Sequence, residues 1–243
     1  MIIQRHPAGT VAIKQADHAA FAAFLLEHWS DHNFPKNPLR DDIILATREH
    51  DSGWQEFDAA PRIDGSTHLP VDFLSINAEE AHDIWRKSAA KYLEINPFVA
   101  LLITHHAYAI NEVSHRRAAV WKPFFTELAQ LRAELRTLLA LTQNEVESSY
   151  SFLRMADWFS LAICMNSEFG IEKPDKYGGY LSRREGDRYL FRPYPFDERE
   201  LRYQLPVYPM RASGYADSAA VRADLKKPAH QEIVLNQLER FAK

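Results

Sequence analysis

Apolar residues recur at helical spacing through roughly the first two thirds of the chain, and at the two-residue spacing of strands only near its ends. Residues 2–5 and 10–14 read as short strands joined by a turn over Pro7-Ala8-Gly9. Helical patterning starts at Ala16: Phe21, Leu25 and Trp29 share one face, and His18 lies on the same side a turn earlier. Residues 31–38, with Pro35 and Pro38, read as loop. Asp41 or Asp42 caps a second helix, in which Ile43, Thr47, His50 and Trp54 follow at intervals of three and four. Asp58, seven residues beyond Asp51, shares its face if the helix runs that far, and Gly53 leaves this open. Residues 59–74, broken by Pro61, Gly65 and Pro70, read as a long loop of the kind that shapes or covers a site.

A third helix is expected over 79–93, and Asn96-Pro97 marks the entry to a fourth. Its inner stripe is Val99, Leu102, His106, Ile110 and Val113. A long amphipathic helix follows over 121–141, then a last one with Tyr150, Leu153, Asp157, Leu161 and Cys164 facing inward. After Gly170 the texture changes to short runs rich in Tyr, Phe and Val, with strands expected at 189–192 and 201–208. The pattern predicts a mainly α fold: a bundle of about six helices with a small β appendage made from the N-terminal hairpin and the C-terminal strands. It is read as one domain over 1–243, with a helical core at about 16–169 and a β-rich tail at about 170–243 packed on it.

The 243 residues are 46% hydrophobic, with five Trp, ten Tyr and fourteen Phe, enough for a sizeable core. A net charge of −4 lacks the basic footprint of a nucleic-acid binder, and Arg116-Arg117 and Lys226-Lys227 read as solvated charges. Cys164 is the single cysteine, which excludes an intrachain disulfide and fits a reducing compartment. No apolar run approaches the ~20 residues of a membrane span. The expectation is a cytoplasmic protein with a small-molecule substrate and no nucleic-acid or membrane partner, with homo-oligomerisation left open.

Four polar residues interrupt otherwise apolar helical stripes: His18, His50, His106 and Asp157. Burying such groups without partners costs several kcal/mol each, and a shared divalent metal ion is one explanation for all of them. With Asp51 they come from four helices, and their mixture of imidazole and carboxylate suits Mn, Ni, Zn or Fe. Adjacent His50 and Asp51 point about 100° apart on a regular helix, so both reach one ion only if it sits close to the backbone at that turn. Each buried histidine alone is better explained by local hydrogen bonding than by a metal, and it is the ordered combination that favours the ion. His28 and His32, one helical turn apart, form a weaker pair at a helix end. Asp58 is a candidate general base or orienting group, or a cap for the loop before Pro61. Ser160 lacks the strand-turn-helix setting of a hydrolase nucleophile, and no glycine-rich phosphate loop or dinucleotide fingerprint is present.

The ordered set of an early helical His, a helical His-Asp and a late helical Asp resembles the HD superfamily of metal-dependent phosphohydrolases. A closer resemblance is to an uncharacterised bacterial family of distant HD-like character. It rests on Asp17-His18-Ala19, the block from His50 through Gly53-Trp54 to Asp58 and Pro61, Leu101-Leu102-Ile103-Thr104-His105-His106, Asp157 through Ser160-Leu161 to Cys164, and Pro193-Tyr194-Pro195-Phe196. The resemblance implies an HD-like helical bundle in which His18, His50, Asp51 and Asp157 ligate the metal. His106 is then an added ligand or a catalytic base, Asp58 a second catalytic candidate, and Trp54 and His105 belong to the pocket. Many HD phosphohydrolases carry a lysine where Trp54 stands, so a cationic phosphate contact is lost. The function implied is metal-dependent hydrolysis, with a small phosphoester as the leading substrate and Arg40, Arg48 and Lys91 as candidate phosphate contacts. The alternatives are a di-iron HD-type oxygenase and a non-catalytic helical protein that binds a small ligand.

Overall fold

Helical periodicity and strand alternation meet in one body in the computed structural model, which describes residues 1–6, 9–31, 34, 36–168 and 179–238. The chain begins with strands β1 (Ile2–His6) and β2 (Gly9–Ile13), then enters helices α1 (Gln15–Glu27), α2 (Arg40–Glu49) and α3 (Trp54–Ala59). Helices α4 (Ala78–Ala90), α5 (Pro97–His115), α6 (Lys122–Leu138) and α7 (Gln143–Cys164) complete the helical layer. Strands β3 (Leu181–Glu185), β4 (Arg188–Arg192) and β5 (Glu200–Pro209), helix α8 (Ser218–Asp224) and strand β6 (Ala229–Gln237) follow. The turn at Pro7-Ala8, and His32 of the His28/His32 pair, lie outside the described residues.

Local chemistry fixes the helix starts. Asn77 and Glu80 cap α4 reciprocally, and Thr142 and Glu145 do the same for α7. The Asn96 side chain accepts from the Val99 N–H, with Pro97 at the first helical position of α5. The expected inner stripe of α5 needs correction. Phe98 to Ala107 is buried almost all round, because α2, α4, α6 and α7 each pack on this helix, whereas Val113 is 84% exposed beyond their reach.

The mainly α, all-helical expectation is overturned. About 51% of the described residues are helical and 19% lie in strands, and the strands form one six-stranded mixed sheet curled into a half-barrel. Its order is β1-β2-β5-β6-β4-β3, antiparallel throughout except where β4 runs parallel to β6. The short N-terminal hairpin joins the tail through β2 and β5, with Ala12 opposite Tyr208. Strands β3 and β6 were not read from the sequence. Leu-Ser-Arg-Arg-Glu and Ala-His-Gln-Glu-Ile-Val-Leu-Asn-Gln carry little alternation of their own; among the described residues β3 is an edge strand paired only with β4 across a two-residue turn, and β6 takes its pairing from β4 and β5.

Aromatic rings weld sheet to helices. Phe21 of α1 stacks on Tyr203 of β5 at 4.6 Å, and Phe159 of α7 stacks on Phe191 of β4 at 5.0 Å. The Ser30 N–H donates to the Pro195 carbonyl, and Trp29 packs on Phe196, so the end of α1 is tied to the tail segment after β4. This clamp fixes α1 and α7 against each other, and the polar cluster lies between them. No helix among the described residues is long and apolar enough to cross a membrane.

Candidate metal centre

His18, in the first turns of α1, faces α7 across the helix pair. Ser160 of α7 donates its hydroxyl proton to the His18 carbonyl at 2.8 Å. The 2.8 Å contact between His18 Nδ1 and Ser160 Oγ must therefore be donated by the imidazole. In the neutral ring this leaves Nε2 with a lone pair, and that atom lies 2.9 Å from Asp157 Oδ1. His50 repeats the arrangement. Its Nδ1 donates to the Thr47 carbonyl at 2.7 Å, so Nε2 presents its lone pair 3.4 Å from both Asp51 Oδ2 and Asp157 Oδ1. Each Nε2 meets these carboxylates favourably only through a positive charge, either a second proton on the imidazole or a metal ion.

The spacing fits such a charge. Ligand atoms bound to one ion at about 2.1 Å lie roughly 3.0 Å apart along an octahedral edge and roughly 3.4 Å apart along a tetrahedral one. One such atom each from His18, His50 and Asp157 falls within 4.8 Å of the others. Asp51 Oδ2, 3.8 Å from His18 Nε2, closes a fourth side. His18, His50, Asp51 and Asp157 are all buried, as is His106.

How adjacent His50 and Asp51 both reach the centre is settled by the backbone. Helix α2 ends at Glu49, and the chain passes through tight turns in which the Trp54 N–H bonds the Asp51 carbonyl before α3 begins. Gly53 makes room for this turn. A Cβ there would lie 1.9 Å from the Ile84 carbonyl oxygen of α4, and the Gly53 N–H bonds Ser88 Oγ instead.

Electrostatics draws positive charge into the cluster. Burial opposes ionisation of His50, but Asp51 and Asp157 outweigh it and lift its pKa well above the ordinary value. Burial likewise works against the Asp157 charge, yet hydrogen bonds from His18 and His50 hold it well below the usual carboxylate range. Asp51 is lowered for the same reason, chiefly by His50 against its own burial. His106 differs: burial depresses it to about 4, only partly offset by Asp157, so it is neutral. Its Nε2 lies 3.8 Å from Asp157 Oδ2, the carboxylate oxygen that does not face His18 and His50.

A cavity of about 300 Å³ opens over the cluster. Trp54, Trp85 and Trp121 are in its wall, the segment read as a loop over 59–74 contributes Phe73 and Leu74, and Ile76 lies just beyond it. That loop is held down by the Phe73 N–H bonding the Met1 carbonyl and by Asp72 accepting from the Ile3 N–H. Gln15, Asn111 and His115 also line the cavity. None had a sequence signal, since each is an ordinary polar residue on a helix.

Two expected site residues are elsewhere. Asp58 does not line the cavity over the cluster. One oxygen binds the Met1 ammonium at 2.9 Å and the other accepts from the Gln15 N–H at 2.9 Å, which anchors the N-terminus of α1. His105 is not in the pocket. It points between α6 and α7, where Nδ1 accepts from Arg132 at 3.0 Å and Nε2 lies 3.3 Å from Glu147, one residue being a 100° rotation from His106. The candidate phosphate contacts are also committed elsewhere: Arg40 to the Phe34 and Trp29 carbonyls, Arg48 to Glu27 and Lys91 to Glu49. His28 bonds Glu198. Cys164 is an inert buried thiol, pushed up to about 12 by its burial.

No curated protein and no solved structure matches the chain. Residues 1–211, which contain every member of the cluster, match the sequence model of a family described as protein of unknown function (DUF3891), and the chain belongs to that family.

Proposed function

We propose that this protein is a metal-dependent hydrolase of HD type, with His18, His50, Asp51 and Asp157 holding a divalent ion. The observation that carries the reading is the pair of imidazoles whose Nδ1 protons are committed to Ser160 and to the Thr47 carbonyl, leaving both Nε2 atoms converged on buried carboxylates at a spacing that a divalent ion fits in place of their protons. A divalent ion there would lower the pKa of bound water toward neutrality and polarise the bond to be cleaved. The protein's own residues do the rest. Ser160 and Thr47 fix the two rings in the ligating tautomer. Trp54 and Trp85 exclude bulk water from the cavity floor. His106, neutral at pH 7 and packed edge-on against Trp85 at 5.6 Å, offers an uncharged nitrogen beside Asp157.

A second reading, a di-iron oxygenase, is favoured by Asp157 alone: Oδ1 faces His18 and His50 while Oδ2 faces His106, the disposition of a carboxylate that bridges two ions. Elemental analysis of purified protein separates the two. One equivalent of Mn, Ni or Zn supports the hydrolase and two of iron the oxygenase. No metal, together with thermal stability indifferent to chelator, sinks both and favours a non-catalytic ligand binder. Asp51→Ala is expected to strip the metal and lower the melting temperature, and a fully metallated variant would end the proposal.

A further inference from the structure

We propose that the cavity over the cluster takes an uncharged, flat, largely apolar molecule carrying an amide-like acceptor and donor, recognised by Trp54 and Gln15. The inference deepens the hydrolase reading and rests on the ion proposed there. Charge is the first argument. Asp51 and Asp157 bring two negative charges, which a divalent ion balances, and no lysine or arginine is among the described residues that line the cavity. The nearest approach to a cation besides the cluster is the His115 imidazole, stacked flat on Trp121 at 4.3 Å. A phosphomonoester dianion would enter with no cationic lysine or arginine among the described lining residues to meet it.

The walls are the second argument. Trp54, Trp85, Trp121, Phe73 and Ile110 give the cavity flat apolar sides suited to a ring-sized body.

The third is a pair of unspent hydrogen bonds. The Trp54 indole N–H and the Gln15 amide oxygen are buried, in residues only 3% and 2% exposed, and neither has a partner among the described residues. Both residues line the cavity. Folded proteins rarely leave buried polar atoms unpaired. One is a donor and the other an acceptor. An amide offers a partner of each kind, whereas a phosphate that offers only acceptors leaves Gln15 unmet.

The test titrates the manganese-loaded protein by calorimetry with acetanilide and with phenyl phosphate, two probes that share a ring. Acetanilide is expected to bind at least roughly tenfold more tightly. Trp54→Phe and Gln15→Leu are each expected to weaken acetanilide by about three- to tenfold, with metal content kept and melting temperature equal or higher, since each removes a polar atom unpaired in the free protein. Phenyl phosphate binding as well as acetanilide would overturn the proposal. So would variants that leave acetanilide unaffected, or that melt lower and thereby reveal a structural role. Protein that holds no metal yet still prefers acetanilide and still responds to both substitutions would sink the hydrolase reading and leave this recognition standing.

Discussion

Asp58 and Asp157 are both buried carboxylates at the faces of α1, and their surroundings differ in kind. Each oxygen of Asp58 meets a proton donor, the Met1 ammonium or the Gln15 N–H, so that knot is complete as it stands. Oδ1 of Asp157 meets two imidazole Nε2 atoms, of His18 and His50, whose rings already spend their Nδ1 protons on Ser160 and the Thr47 carbonyl, so that a second proton or an ion must fill each contact. Adjacent His105 and His106 repeat the contrast. His105 has a partner at each nitrogen, whereas His106 has only long contacts, to Tyr150 at 3.4 Å and to Asp157 at 3.8 Å. Burial of a polar residue therefore does not identify a site. What separates structure from chemistry is whether the donors and acceptors close among themselves.

The largest effect expected from breaking this comparison is on stability and not on metal. Asp58→Ala leaves a buried ammonium without its partner and should cost about 3–5 kcal/mol, read as a lower melting temperature, while metal content stays at the wild-type level. Metal loss in that variant would join the two carboxylates into one functional unit. Gly53→Ala comes next. Its Cβ would collide with the Ile84 carbonyl, so α4 must retreat, at a cost of about 1–3 kcal/mol. Because Trp85 rides on α4, ligand affinity should change along with stability; an unchanged melting temperature would show that the close approach is not needed.

The smallest and most diagnostic effect is in pH. His50 is raised, so in chelated protein its proton contributes stability that is complete below about pH 6.5 and is lost as pH climbs through the folded value. A bound ion competes with that proton for the same lone pair. The gap in melting temperature between metal-loaded and chelated protein should therefore widen from about pH 6 to about pH 8. His106, held at about 4, acts with the opposite sign, giving stability that is present above about pH 6.5 and lost as pH falls toward 4. Asp51 and Asp157, both lowered, withdraw their contribution only as pH falls below about 3.8. Parallel melting curves with and without chelator would mean that nothing replaces the His50 proton.

The sequence by itself marked out the helices of the first two thirds of the chain, though not the break between α2 and α3 nor the short α8, and it singled out the polar residues that the structure brings together. The entry at Asn96-Pro97 is read from neighbouring residues alone, although the cap expected of Asp41 or Asp42 is not made, α2 starting after Leu39 without a side-chain cap; His18, His50, His106 and Asp157 betray themselves by breaking apolar stripes. Tertiary structure decided the rest. Strand β6 exists because β5 and β4 flank it, which no local pattern in its sequence announces. Asp58 and His105 were drawn away from the site by partners 57 and 27 residues distant, and Gln15 was brought to the cavity by the packing of α1. The physical reason is common to all of these: periodicity records whether a side chain faces inward, but only the partners it meets there, set by chain segments far apart, decide whether it is satisfied, strained or free to act.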